Sequence, residues 1–266
     1  MTKFAVAVLA LSATTALATP SFAQGGWFSG DWSLTLGVAA LTVPEYDGDD
    51  DYRFVAQPIV SFGRQGTERR FSSRNDNISI GLFDNGIVRA GPTGKVIFER
   101  DGGDSDDLIG LNPVRFGGEL GGFAEYYATD WLRLRGEVRH GIRSHDGIVA
   151  DVAADAFMNL SPTIQISGGP RVSYASADYF DAYYGVSGVE ALASGLTPYS
   201  PESGFRSVGV GAAINWDVTD KIQTSLFGEY ARLVGPAADS SLVRERGDEN
   251  QFTIGVSATY RFDFSL

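Results

Sequence analysis

The stretch Phe252-Thr253-Ile254-Gly255-Val256-Ser257-Ala258-Thr259-Tyr260-Arg261-Phe262-Asp263-Phe264 alternates residue by residue. Phe252, Ile254, Val256, Ala258, Tyr260, Phe262 and Phe264 share one side, while Thr253, Gly255, Ser257, Thr259, Arg261 and Asp263 share the other. Successive side chains of a strand point to opposite faces, so the stretch reads as a β-strand with one apolar and one polar face. A water-soluble sandwich shows the same alternation, but its strands usually stop after about five or six residues. A strand tilted near ~40° needs about eleven residues to cover the ~25 Å apolar band of an outer membrane. The run from Phe252 to Phe264 is long enough.

The same reading extended towards the N-terminus gives twelve candidate strands: 32–43, 52–62, 68–73, 77–83, 87–98, 114–127, 131–141, 147–158, 162–175, 204–216, 221–233 and 251–264. The third and fourth are short and alternate poorly, which leaves ten as the other possible count. The connections favour the larger number. Short connections at 63–67, 84–86, 128–130, 159–161 and 217–220 alternate with long ones at 44–51, 99–113, 176–203 and 234–250. Short periplasmic turns and long extracellular loops are the outer-membrane pattern, and an odd count would break it. Trp32, Trp131 and Trp216 fall near the short-turn ends, and Tyr46, Tyr52, Tyr174, Tyr179 and Tyr230 near the long-loop ends. Such rings favour a membrane interface, where the apolar body and the polar tip are both satisfied.

The other face is charged. In 131–141, Leu132, Leu134 and Val138 point one way, and Arg133, Arg135, Glu137 and Arg139 point the other. The same assignment puts Arg53, Arg89, Lys95, Arg115, Glu119, Glu125, Asp151, Asp155, Arg171, Glu229 and Arg261 on the inner face. No apolar soluble core is built from these residues. A closed barrel accommodates them in its lumen while every backbone group pairs with a neighbouring strand. The expected fold is all-β: a transmembrane antiparallel β-barrel of about twelve strands. Backbone walls of that size stand roughly 24 Å apart, so the charges either cross-link the interior or line a narrow pore. The 176–203 loop is long enough to fold inward, and its 187–195 part suits a short helical turn. Replacing an inner arginine such as Arg135 by Leu is expected to disturb folding less than placing Arg at Val138 on the outer face.

The N-terminus carries an address. Lys3 is the sole charge before Asp31, an apolar run follows from Phe4 to Ala18, and Ser21-Phe22-Ala23 offers small residues for cleavage. This predicts a secretory signal peptide at 1–23 and one barrel domain at 24–266. The run is shorter than the ~20 residues of a membrane-spanning helix, and Pro20 ends it. The chain has no cysteine, so its stability cannot rest on disulfides. With 21 basic and 33 acidic residues the net charge is −12, which argues against nucleic acid as a partner. Outer-membrane lipid and lipopolysaccharide are the expected surroundings.

Catalysis is not expected. Two histidines are present. His140 shares the apolar parity of strand 131–141, with Ser144 close in sequence, and His145 lies in the loop after it. No carboxylate stands at a spacing that clearly orients either ring for base catalysis. Glu45, Asp47, Asp49, Asp50 and Asp51 crowd the first loop, and Asp101, Asp104, Asp106 and Asp107 crowd another. Such oxygen-rich runs can hold a hard cation, but neither has EF-hand spacing, and a solvated loop is the reading taken. No metal and no cofactor is expected.

Several stretches resemble the MipA/OmpV family of outer-membrane proteins. They are Pro44-Glu45-Tyr46-Asp47-Gly48, Val88-Arg89-Ala90-Gly91-Pro92, Tyr183-Tyr184-Gly185-Val186, Leu233-Val234-Gly235-Pro236-Ala237-Ala238-Asp239-Ser240 and Asp248-Glu249-Asn250-Gln251-Phe252. The resemblance implies a role in envelope structure, as a scaffold for murein (peptidoglycan) hydrolases and synthases. Porin-like members imply the alternative, a narrow channel for small solutes, and immunogenic surface members a surface adhesin. The resemblance carries no catalytic residue.

Overall fold

The structure, a computed structural model, describes residues 30–64, 71–73 and 76–265, with backbone alone at 61–64. The expected signal peptide lies outside the described residues.

One antiparallel sheet contains β1 (Asp31–Pro44), β2 (Tyr52–Arg64), β3 (Ile78–Ser79), β4 (Phe83–Asp84), β5 (Val88–Ile97), β6 (Gly117–Thr129), β7 (Leu132–Ile142), β8 (Ile148–Asn159), β9 (Ile164–Ala175), β10 (Gly204–Asp217), β11 (Ile222–Leu233) and β12 (Asn250–Ser265). Its order is β2-β1-β12-β11-β10-β9-β8-β7-β6-β5-β3, with β4 also on β5. First and last long strands pair through Leu34↔Phe262, Val38↔Ala258 and Thr42↔Ile254, which wraps the sheet into a nearly closed barrel. Every strand between β2 and β3 in this order is thereby paired on both sides, which removes the sheet edges that a bilayer cannot satisfy everywhere but at those two strands.

The alternation is realised as burial. Along β7, Arg133, Arg135, Glu137 and Arg139 are buried, while Leu134 and Val138 are exposed. Along β12, Gln251, Ser257 and Thr259 are buried, while Phe252, Ile254, Val256, Tyr260 and Phe262 are exposed. A soluble protein would hide such an apolar side. Here it forms the band that faces lipid. No described helix is long and apolar enough to cross a membrane.

The short turns are closed by their own side chains. Asn85 Oδ1 accepts from the amides of Ile87 (3.1 Å) and Val88 (2.8 Å). Gly86 beside it takes φ +94°, a conformation that costs glycine little. Ser161 Oγ and Thr219 Oγ1 do the same work at the next turns, accepting from Ile164 and Ile222 at 3.0 Å each. Asn and Ser or Thr favour turns because they supply such acceptors.

The weakest part of the sequence pattern is also where the wall departs from it. Of the expected strand 68–73, residues 68–70 lie outside the described ones and 71–73 carry no strand. The expected strand 77–83 is broken into β3 and β4, which share one place beside β5. Among the described residues, β2 and β3 are not joined by a ladder. The Ser73 amide instead donates to Asp76 Oδ2 at 2.8 Å. Side-chain acceptors of this kind compete with a strand ladder.

At the long-loop end the chain folds back over the barrel. Helices α1 (Ala177–Tyr184), α2 (Gly188–Ser194), α3 (Gly235–Ala238) and α4 (Ser241–Arg246) build a cap. Tyr179, Phe180 and Tyr184 pack there on Val149, Ala175 and Leu233. The helical turn expected at 187–195 is α2, with a capping box between Ser187 and Glu190 and left-handed Gly195 at its end. Tyr46 and Tyr179, expected at the lipid interface, lie inside this cap at 4 % and 5 % exposure. Local position in a strand pattern did not reveal that the loops carry a core of their own. Leu192 is 91 % exposed on α2. A peptide tag inserted there is expected to bind antibody on intact cells, and one at Asn85 is not. Labelling at Asn85 alone would reverse the orientation of the barrel.

Candidate functional site

The charged inner face of β6 to β9 makes one connected network. Arg133, fully buried, stands at its centre. Its Nη1 and Nη2 donate to the two Asp76 oxygens at 2.6 and 2.9 Å. Nη2 also reaches Asp155 Oδ2 at 2.6 Å, and Nη1 reaches Glu125 Oε1 at 3.0 Å. Arg135 joins Glu125, donates through Nε to Glu137 at 2.6 Å, and lies over the Phe123 ring at 4.4 Å. Arg139 bridges Glu119 at 2.7 Å, Glu137 at 2.7 Å and Asp151 at 2.6 Å. Arg171 reaches Asp155 at 2.5 Å. Arg89 reaches Glu125 at 3.4 Å.

Ladder register explains why these groups meet. Glu125 lies opposite Arg135 and Arg133 opposite Asp155, so opposite charges face each other across neighbouring strands, while the like-charged pair Glu137 and Asp151 is bridged by Arg139. Buried charges are tolerable only when paired and hydrogen-bonded, and here nearly every oxygen has a donor.

Asp76 was not legible as part of this site. It belongs, with Phe71, Ser73 and Asn77, to a short stretch between β2 and β3 whose described residues touch the inner face of the barrel. Phe71 on the same segment stacks on Phe157 with ring centres 4.5 Å apart and lies 4.8 Å from the Arg133 guanidinium. Ser73 accepts from Arg171 at 3.1 Å, and Asn77 donates to Glu137 at 2.9 Å. The space left beside Ser73, Arg171 and Phe227 is about 10 Å³, at the lower limit for one water. The polar run from Ser72 to Asn77, without alternation, is the sequence signal that could have marked an interior segment.

Other residues placed on the inner face by sequence behave differently. Lys95 is opposite Glu119 in the ladder but remains exposed. Glu229 is half-buried on β11. Arg261 is half-buried and reaches Asp263 at 3.1 Å. Arg53 pairs with Asp104 of the β5–β6 loop at 2.8 Å. Arg115 is a correction: the wall strand begins at Gly117, and Arg115 is exposed in the segment before it. An isolated bridge between Arg100 and Val114 ends the regular ladder early there.

Four of the five stretches that carried the family resemblance converge in the cap, while Val88–Pro92 lies in β5. Tyr184 Oη donates to Asp47 Oδ2 at 2.7 Å, and Arg206 donates to the same oxygen at 2.8 Å. Ser240 Oγ donates to the Tyr184 carbonyl at 2.7 Å. Gln251 accepts from the Gly48 amide at 3.2 Å and donates to the Asp49 carbonyl at 3.2 Å. Burial raises the Asp47 carboxyl, but Arg206 and then the Tyr184 hydroxyl bring it below the ordinary carboxylate range. This lock is therefore complete at neutral pH and is lost only on strong acidification. Burial pushes the Tyr183 phenol up to about 12, so it stays protonated.

Between the cap helices α1 and α2 and the β5–β6 loop is a cavity of about 220 Å³, lined in part by Arg100, Val114, Ser144, Asp181 and Glu190. Arg100 donates to the carbonyls of Tyr183 at 3.0 Å and Ala182 at 3.4 Å, where α1 ends. His145 is committed to structure: Nδ1 accepts from the Gly147 amide at 3.1 Å, which leaves Nε2 to donate to Glu119 at 3.2 Å. His140 is exposed on the apolar side. Neither ring stands as a base beside Ser144.

A barrel with an apolar outer band, a charged interior and a helical cap defines an integral outer-membrane protein. The chain belongs to the family described as MltA-interacting protein MipA, whose model matches residues 36–262. It is similar to the outer membrane protein OmpV of Vibrio cholerae, 24 % identical over 98 % of this chain and 100 % of that protein. It is also similar to the outer membrane protein Omp26La of Vibrio anguillarum, 23 % identical with the same coverage. Among solved structures, a chain described as a bacterial polysaccharide outer membrane secretin is similar at 9 % identity and a TM-score of 0.42. That match covers 87 % of this chain and 98 % of the other.

Proposed function

We propose that this protein is a closed structural barrel of the outer membrane that serves as a scaffold for murein-remodelling enzymes, and that it is not an open channel. The observation supporting closure is the bidentate contact of Asp76, carried on an interior segment, with the buried Arg133. A water-filled pore gains nothing from charges cross-linked at this density. The partner class follows from the family description, which names an interaction with MltA. Murein lies on the periplasmic side, so the short-turn rim would carry the contact. A narrow channel keeps one observation in its favour, the exposed Lys95 on the inner-face register. The test is planar-bilayer recording on the folded protein, with detergent extraction of the tagged protein alongside. Near-zero steady conductance and a co-purifying murein hydrolase or synthase are expected. Large, steady, porin-like current would replace the closed reading with the channel. Failure to retain any murein enzyme would remove the scaffold role.

A further inference from the structure

The first loop and the β5–β6 loop are both acidic, and the fold brings them together. One carboxylate oxygen from each of Asp49, Asp50 and Asp107 lies within 4.8 Å of the other two. Among the described residues, no Lys, Arg or His nitrogen comes within 4.0 Å of these three carboxylates. Arg246 is near, but its guanidinium donates to the carbonyls of Asp107 (2.7 Å) and Ser194.

A second observation is independent of that crowding. Asp49 is 0 % exposed. Its Oδ1 accepts from the Asp51 amide at 2.9 Å, while Oδ2 is buried with no hydrogen-bond partner. An ionised oxygen cut off from water and donors is costly unless a cation faces it. The backbone nevertheless holds Asp49 in place, through the bridge to Gly247 and the amide hydrogen bond to the Tyr46 carbonyl at 3.0 Å. Asp107 is equally fixed, in a tight turn over Asp106–Leu108 with Ser105 at its cap. Asp50 is exposed and closes the group from the solvent side.

We propose that Asp49, Asp50 and Asp107 form a binding site for one calcium ion, which fastens the first loop to the β5–β6 loop at the outer edge of the cap. All three donors are hard oxygens, which excludes a preference for soft metals. Calcium accepts irregular geometry with six to eight oxygens, and the exposed side at Asp50 leaves room for water to complete the shell. Magnesium demands near-octahedral geometry and releases water reluctantly, so it fits this arrangement less well.

The experiment uses the full folded protein in detergent, stripped with EDTA and titrated with CaCl2 by calorimetry, with the melting temperature followed in parallel. One saturable calcium per chain and a calcium-dependent rise in melting temperature are expected, with weaker binding of magnesium. Asp50→Asn leaves the buried loop contacts intact and should weaken binding at least tenfold, as should Asp107→Asn. Glu202→Gln, an exposed acid elsewhere on the rim, should bind as the parent does. No saturable binding in the parent protein would overturn the site. So would equal calcium affinity in the parent, Asp50→Asn and Asp107→Asn proteins.

Discussion

Arg133→Met is expected to cost the folded barrel about 3–5 kcal/mol, because removing one partner of a buried ion pair leaves its counter-charges uncompensated. Asp76, Glu125 and Asp155 would all lose a donor at once. Asp76 also anchors the interior segment, so the loss should release that segment as well as weaken the wall. Urea-dependent refolding into detergent, read as the gel-mobility difference between folded and heated protein, measures the effect. Arg133→Lys should fall between, since a single ammonium cannot reproduce the bidentate grip on Asp76. Adding Asp76→Asn to Arg133→Met should recover part of the loss by removing one stranded charge, a coupling that a double-mutant cycle reads directly. Parental stability in Arg133→Met would mean that the network does not hold the barrel together.

Val138→Arg should hinder insertion by about 2–4 kcal/mol, the cost of an arginine near the bilayer midplane on a barrel's lipid face. Val138 is 56 % exposed on the apolar side of β7, between inward-facing Glu137 and Arg139. The penalty comes from lipid, so it should be large in vesicles and small in detergent. Sequence alone suggests that Arg135→Leu is the milder change. The structure revises this, because Arg135 is 4 % exposed and serves Glu125, Glu137 and Ser79 together. Arg135→Leu is now expected to destabilise in vesicles and detergent alike, since the stranded partners are inside the protein. A Val138→Arg protein that inserts into vesicles as readily as the parent would show that this face does not meet lipid.

Much of this molecule is legible in its residues because period-two alternation is a strong constraint. Slipping β7 or β12 by one residue would turn every apolar side chain to the wrong face. Strand extents over most of the wall, the short turns, the apolar outer band and the α2 capping box all follow from local spacing of this kind. The same logic explains the failure around 68–83, where the apolar residues are too sparse for alternation to specify a register.

What local spacing could not decide is which groups meet. Parity put Arg133, Arg135 and Arg139 on the inner face, but their acid partners come from other strands and, for Asp76, from a segment 57 residues away. Asp47 and Tyr184 lie 137 residues apart, and Gly48 and Gln251 lie 203 apart. Contacts of that range are set when the sheet curls shut and the loops collapse on a core of their own, an event with no local period to announce it. By itself the sequence determined a membrane barrel with a charged interior, because side-chain direction along a strand is a local property. Only the tertiary structure decided that the interior is cross-linked, that the mouth is capped and that two acidic loops share one place, because these depend on distances across the closed barrel.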